Sequence, residues 1–259
     1  MIRRRLYTEE RISPLARWSF RLALFSLPVV ALAALLYRTG FMEFVPAITT
    51  LGTGLALALL AGMLGMAAFF ITWETGWLGI GRAMAAVAIA VLVLAGPAAV
   101  LARGMMLPRL TDISTDGTDP PTFRALALAH PREANDLTYG GGDAAAAQRL
   151  AYPGIKPVDL SATPEEAYNT VLALVQKRRW RILDQTPPRG SRRDGQIEAV
   201  AVSPVMGFRS DVVIRIRPTV KGARVDVRSA ARYGIHDLGT NAERIEALMA
   251  DLAAERRRR

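Results

Sequence analysis

A stretch of fourteen residues, LTDISTDGTDPPTF from Leu110 to Phe123, holds three aspartates among serines, threonines and a Pro-Pro pair. Carboxylates and hydroxyls at this density could ligate Ca²⁺, which takes several oxygen ligands from one loop. Asp112, Asp116 and Asp119 are spaced four and three residues apart and no glutamate closes the loop, which departs from a calcium-binding loop. Asx and Ser/Thr turns explain the same composition. We therefore predict neither a metal nor a cofactor here.

Nucleophilic catalysis is the second chemistry to weigh. The chain has only two histidines, His130 and His236, and no cysteine, which excludes thiol chemistry, disulfides and cysteine-based zinc sites. No nucleophile-elbow pattern surrounds a serine, so no catalytic residue is predicted. The alternative that stays open is a membrane-anchored hydrolase that uses Asp112, Asp116, Ser229 or His236.

A third chemistry is anion recognition by arginine. Around Val212–Ile216 and Val225–Val227, apolar residues alternate with charged ones, which predicts strands with one buried and one charged face. The simpler interpretation is a solvated face joined by pairs between arginines and Asp226, each contributing about 0–1 kcal/mol. The functional interpretation is recognition of an anionic lipid headgroup or envelope polymer.

Charge alone does not identify a nucleic-acid protein. The chain has 33 Lys/Arg and 23 Asp/Glu, a net charge of +10. Residues 1–103 hold nine Arg and four Glu, and residues 104–259 hold 24 Lys/Arg and 19 Asp/Glu, a net +5 in each part. Because the excess in the second part is ordinary for a soluble domain, we predict no nucleic-acid partner.

Three apolar runs are long enough to cross a bilayer as helices, which takes about 20 residues. They are Trp18–Tyr37, Phe44–Trp73 and Ala83–Ala102. Buried core helices and, for the first run, a cleaved signal peptide are the alternatives. The second run is too long for a core helix, and no small-residue cleavage site follows the first. We predict three retained spans.

The arginines predict the orientation of the spans. Six arginines precede or begin the first span and favour a cytoplasmic N-terminus: Arg3, Arg4, Arg5, Arg11, Arg17 and Arg21. Three spans then place the residues after 103 outside, which is the periplasm if the protein lies in a bacterial inner membrane. Small residues in the second span, from Gly52 to Ala68, favour close helix packing within the chain or in a homo-oligomer.

The remainder of the chain predicts four regions and an α+β fold. They are a basic cytoplasmic N-terminus (1–17), the three-span region (18–103), an ordered connector (104–154) and a periplasmic domain (155–259). In the last, the order β-α-β-β-β-β-α implies an antiparallel sheet with two helices packed on one face. Thr163 with Glu166, and Thr240 with Glu243, predict capping boxes at the two helices.

Four stretches carry a family resemblance: DISTDGTDPPTF, AYPGIKPVDL, FRSDVVIRIRP and RVDVRSAARYGIHDLGTNAERI. Together they resemble the domain-of-unknown-function family 1499, whose bacterial members often have a multi-span N-terminus before this domain. The resemblance implies no activity and no catalytic residues. It does associate the first aspartates with the last strand and helix, so we predict that Asp112 and Asp116 meet Arg228, Arg232 or Arg244.

The sequence thus favours a bacterial inner-membrane protein with a periplasmic, non-enzymatic binding or interaction domain. Its predicted partners are the lipid bilayer and, as alternatives, an anionic lipid or envelope ligand or a membrane protein. The candidate ligand-binding residues are Asp112, Asp116, Arg215, Arg217, Arg228, Arg232, Asp237, Asn241 and Arg244.

Overall fold

The computed structural model describes residues 11–189 and 193–258, with side chains to residue 255. Most of the predicted basic N-terminus, including Arg3, Arg4 and Arg5, lies outside the described residues. The chain divides into two compact units, Met1–Val100 and Leu101–Arg259.

The first unit is built from long apolar helices: α1 (Pro14–Thr39), α2 (Phe44–Thr75) and α3 (Ile80–Met105), whose last residues belong to the second unit. Ser13 caps α1 by accepting a hydrogen bond from the amide of Ala16, and Gly40 ends that helix in the left-handed conformation. All three helices are long and apolar enough to cross a membrane. Each contains one predicted span.

Small residues of α2 let its neighbours approach closely. A Cβ added to Gly54 would lie 2.7 Å from a methyl group of Val30, and one added to Gly62 would lie 2.9 Å from the Cβ of Ala90. Some of the small residues of α2 therefore lie where helices of the same chain pack closely, which is common for helices in lipid. No atom of the described residues lies within 4 Å of such a Cβ at Gly52, and a homo-oligomer through α2 stays a prediction.

The second unit is an α+β domain around an antiparallel six-stranded sheet. Its strands are β1 (Asp112–Ser114), β2 (Val158–Leu160), β3 (Arg181–Thr186), β4 (Gly195–Val202), β5 (Arg209–Thr219) and β6 (Gly222–Ala231). Strands β3, β4, β5 and β6 are adjacent in that order. The outer edge of β6 is shared, since β1 pairs with its second half and β2 with its first half.

Four helices complete this unit: α4 (Ala125–Leu128), α5 (Gly142–Ala151), α6 (Pro164–Lys177) and α7 (Thr240–Arg258). The inward side chains of β4, β5 and β6 form the main core with α6 and α7, which confirms the predicted face with two helices. Examples are Ile214 and Val227 of the sheet with Val171 of α6 and Ile245 of α7, all fully buried.

One of the two predicted capping boxes is confirmed. Thr163 and Glu166 exchange hydrogen bonds at the start of α6. At the start of α7 the structure differs, because the carboxylate of Asp237 accepts from the amides of Gly239 and Asn241. A loop with positive φ at Leu238 and Gly239 turns the chain so that this carboxylate reaches the first amides of the helix.

The boundary of the domain also differs from the predicted one at residue 155. Strand β1 lies within the predicted connector 104–154 and pairs with β6 from Asp112 to Ser114. The following residues, 115–139, cross the second face of the sheet, and we call them the covering segment. Phe123 and Leu126 of this segment pack on Val200 and Val213 of the sheet. The charged sheet face, expected to be solvated, is therefore largely covered.

Candidate functional site

The first predicted contact, between Asp112 and Arg228, is confirmed. Nε and Nη2 of Arg228 donate to the carboxylate of Asp112 at 3.1 and 2.7 Å. Arg228 is 2% exposed, and its guanidinium also donates to the carbonyl oxygens of Pro121 and Leu137. Burial raises the pKa of Asp112, and the bonds and charge of Arg228 oppose that rise. The pair thus fixes both ends of the covering segment.

Asp226 lies at the centre of a second charge cluster on the covered face. Its carboxylate is fully buried and contacts Arg215 at 3.1 Å, Arg217 at 2.8 Å and Arg224 at 3.3 Å. Three guanidinium groups around one carboxylate leave an excess of positive charge, which draws in the carboxylates of the covering segment.

Asp116 supplies one of those carboxylates, and here the predicted partner was wrong. Asp116 contacts Arg217 at 3.1 Å and not Arg228, Arg232 or Arg244, because the chain turns after β1 towards the β5–β6 hairpin. Burial raises the pKa of Asp116, but hydrogen bonds from the amide of Asp119 and from Thr118 outweigh it and lower the pKa to about 2.

The rest of the covering segment is held by buried acids of the sheet. Glu198, fully buried, accepts from the amides of Arg124 and Leu126 at 2.8 and 2.7 Å. Asp211, also fully buried, bonds Arg232 at 2.7 Å and Nδ1 of His130 at 3.1 Å. Sequence reasoning missed Glu198 and Asp211, although a carboxylate in an apolar strand pattern is a signal of such a buried partner.

Three of the predicted ligand-binding residues lie on the other sheet face. Nη1 of Arg244 donates to Ser229 Oγ at 3.0 Å and to Asn241 Oδ1, and Asn241 also donates to the carbonyl of Thr111. Burial lowers the pKa of Arg244 to about 10. Together with Asp237, these residues anchor the first turn of α7 to the sheet.

The nine predicted residues therefore form separate structural clusters on two faces of the sheet. Ligand binding by them stays a prediction. The side chains of the hydrolase alternative have other partners: Ser229 is fully buried and donates to Asn241, while Nε2 of His236 contacts the carbonyl of Gly104. Asp112 and Asp116 are engaged by arginines as described above.

A cleft of about 390 Å³ lies beside the sheet, between β1, α5 and the loop before β2. Gln148 of α5 forms one wall, since its side-chain amide donates to the carbonyl of Ser114 at 2.7 Å and accepts from the Ser114 amide at 3.1 Å. At this edge of β1, the side chain of Gln148 forms the two hydrogen bonds that the backbone of a neighbouring strand would otherwise form. The cleft is lined by Ser114, Thr115, Gly117, Thr118, Tyr139, Ala145, Gln148, Arg149, Tyr152, Pro153, Ile155 and Lys156.

Both charged side chains that line the cleft are cationic, and the carboxylate of Asp116 lies next to the lining, where it accepts a hydrogen bond from Thr118. Arg149 and Lys156 line the cleft, both exposed, and no aspartate or glutamate is among the lining residues. The hydroxyls of Tyr139 and Tyr152 stay protonated at neutral pH, because burial raises the pKa of each. Cations and hydroxyl donors around a volume of this size suit a small anionic group.

Sequence reasoning missed this cleft. The available signal was the absence of any acidic residue from 144 to 158, which contains Arg149 and Lys156. A second cleft, of about 340 Å³, has Asp194 among its arginines, which are Arg124, Arg193 and Arg215. A third, of about 270 Å³ near Leu160 and Leu252, has no cation among the lining residues that the structure describes. Within the described residues, no three His, Asp or Glu side chains are grouped to hold a metal.

Comparison with protein families identifies the domain. A model described as "Protein of unknown function (DUF1499)" matches residues 112–252, more than half of the chain. The chain belongs to this family. The DUF1499 match begins at Asp112 of β1 and ends in α7, so it contains the sheet, the covering segment and the cleft. Comparison with curated proteins and with solved structures gave no match.

Proposed function

We propose that this DUF1499 protein is a membrane-anchored binding module whose cleft takes an anionic group, of phosphate or carboxylate type, without chemical conversion. The observation that supports it is the lining of the cleft: Arg149 and Lys156 together with hydroxyl donors and no acidic side chain. An anion bound there would receive charge-assisted hydrogen bonds, each contributing up to about 1 kcal/mol because both cations are exposed to solvent.

The cleft is a better candidate than the arginines of the sheet. Arg215, Arg217, Arg228 and Arg232 already contact carboxylates at 3.8 Å or less, and a ligand would have to displace those partners. Neither Arg149 nor Lys156 contacts a carboxylate within the described part of the chain. Their charges are available at the surface of the cleft.

The lining of the cleft also favours binding over catalysis. A general base needs a group that loses its proton near neutral pH, and histidine or a carboxylate is the usual choice. The lining has neither, and the raised pKa of Tyr139 and Tyr152 makes these phenols poor bases. This supports a non-enzymatic envelope role.

The proposed location is a bacterial inner membrane with the domain in the periplasm. The three apolar helices support it, as do Arg11 before α1 and Arg17 in the first turn of α1, since positive residues flank the cytoplasmic ends of spans. Reporter fusions after residue 9 and after residue 259 test it. A cytoplasmic signal from the C-terminal fusion contradicts a periplasmic domain.

Anion binding is tested with full-length protein in detergent. Lipids that co-purify are measured by mass spectrometry, and inorganic phosphate binding by equilibrium dialysis, which separates a lipid source from a soluble one. The variant Arg149→Gln/Lys156→Gln should lose anionic lipid, phosphate or both. Lys177→Gln/Lys221→Gln removes the same charge from exposed positions outside the cleft and should behave as wild type. Unchanged retention of both anions in the cleft variant contradicts the proposal.

A further inference from the structure

Exposed apolar side chains collect at one end of the second unit. Met105, Met106, Val205 and Ile235 are between 75% and 87% exposed. Large exposed apolar side chains that cluster are uncommon on a soluble surface and mark contact with a partner or a membrane. We call these four residues the apolar end.

The strand register brings the four residues to the same end of the sheet. Ala231, the last residue of β6, bonds the carbonyl of Thr111, and the amide of Asp237 bonds the carbonyl of Leu110. These bonds place the loop with Ile235 beside the chain that leaves α3. Val202 pairs with Arg209, and Ser210 pairs with Ala231, so the turn carrying Val205 lies at that end as well.

The end of α3 itself is part of this arrangement. The carbonyl of Gly104 contacts Nε2 of His236 at 2.8 Å, and a Cβ on Gly104 would collide with the side chain of Leu238. Arg103 forms an ion pair with Glu243 at the start of α7. The residues that end an apolar, membrane-length helix are thus bonded to the loop that carries Ile235.

Basic side chains accompany the apolar ones. Arg109, Arg181 and Arg209 are exposed, and each adjoins a segment that ends here: the chain before β1, the start of β3 and the start of β5. Acidic side chains are present at this end as well. Glu133 and Asp136 flank Asn135, which donates to the carbonyls of Ala231 and Gly234, and Asp237 and Glu243 follow Ile235 in the chain. Exposed apolar side chains beside arginines fit the interface of an anionic bilayer, where each arginine contributes about 1 kcal/mol.

We propose that the apolar end docks on the bilayer from which α3 emerges, with Val205 and Ile235 inserted at the headgroup level. The occupant is lipid because Met105 is the last residue of α3, so the surface continues a helix with the length and hydropathy of a span. This inference rests on the proposed membrane anchoring and does not depend on anion binding in the cleft.

Single-cysteine labelling tests the docking, because the natural chain has no cysteine. Ile235→Cys and Val205→Cys carry an environment-sensitive fluorophore in the full-length protein, reconstituted in vesicles of phosphatidylglycerol and phosphatidylethanolamine. Val220→Cys is the matched control, since Val220 is fully exposed in the turn at the opposite end of β5. Leu92→Cys, in the middle of α3, reports on the anchoring itself.

We expect a lipid that is spin-labelled in its headgroup region to quench the probes at 235 and 205 several-fold more than the probe at 220. Aqueous iodide should instead quench the probe at 220 more than the probes at 235 and 205. If a lipid labelled deep in its acyl chain fails to quench the probe at 92, the anchoring itself fails. If the probe at 92 is quenched, but the headgroup-labelled lipid quenches the probes at 235 and 205 no more than the probe at 220, the proposed docking is overturned. Protection from iodide without lipid quenching would indicate a second copy of the chain, which also overturns it.

Discussion

Arg228 on β6 donates from Nε and Nη2 to the carboxylate of Asp112 on β1, joining residues that are 116 positions apart in the sequence. Nη1 of this guanidinium donates to the carbonyl of Pro121, and Nη2 donates to the carbonyl of Leu137 as well. One arginine thus connects the first strand of the domain to both halves of the covering segment. The charged sheet face acts chiefly in holding that segment in place.

The variant Arg228→Lys should loosen the covering segment. Lysine keeps the positive charge but lacks the planar fork that bonds Asp112, Pro121 and Leu137 together. We expect a loss of about 1.5–3 kcal/mol in the free energy of unfolding. Hydrogen exchange should accelerate over residues 115–139 and stay slow in β5. The exposed Arg181→Lys is the control, and equal exchange in the two variants would contradict this role.

Asp226→Asn should destabilise the domain strongly. It removes the negative charge at the centre of three arginines, of which Arg217 lies at 2.8 Å, and leaves uncompensated positive charge in a buried position. Breaking such a cluster costs about 3–5 kcal/mol, which corresponds to a fall of about 6–20 °C in Tm for a domain of this size. Thermal unfolding of the full chain measures it. The exposed Asp159→Asn should leave Tm unchanged.

The low pKa of Asp116 predicts a defined pH dependence. Because the pKa is about 2 in the folded protein and ordinarily 3.8, the ionised group stabilises the fold above about pH 4, and this contribution is lost as the pH falls through 2. Wild type should therefore exceed Asp116→Asn in unfolding free energy at neutral pH, and the difference should fade between pH 4 and pH 2. A difference that stays constant over this range would disprove the assigned role.

Substitutions at two glycines of α2 distinguish packing of this helix within the chain from contacts of the helix with another molecule. Gly54→Leu should disrupt the contact with Val30, since even a Cβ would lie 2.7 Å from it. Gly52→Leu adds the same volume where nothing lies within 4 Å. We expect a lower thermal stability in detergent for the first variant alone. If Gly52→Leu is equally harmful, a neighbour outside the described chain contacts that face, as a homo-oligomer would require.

Local signals made much of the fold predictable. The capping box of Thr163 and Glu166 depends on four consecutive residues, and the alternation of Val212, Ile214 and Ile216 with charged residues reflects the geometry of one strand. Strand β1 was missed because three residues carry too short a pattern, and its existence depends on the distant β6.

The charged face and the cleft were harder to predict for a different reason. The alternation of apolar and charged residues shows that one face of the sheet is polar. It does not show whether the polar side chains of that face contact water or a covering segment that supplies polar partners. Asp226 and Glu198 alternate like exposed residues and are both fully buried. The cleft depends on Gln148 bonding Ser114 across 34 positions, and no periodic pattern records such a contact.

The central claim is that Arg149 and Lys156 bind an anion, and direct titration tests it. Glycerol phosphate, a soluble analogue of a lipid headgroup, is added to full-length protein in neutral detergent, and Kd is measured by calorimetry at low ionic strength. The account predicts saturable binding by wild type and by Lys177→Gln/Lys221→Gln. In Arg149→Gln/Lys156→Gln, the loss of two charge-assisted contacts should raise Kd about tenfold or more. An equal Kd in the cleft variant and the charge-matched control, or no binding by any of the three proteins, would contradict it.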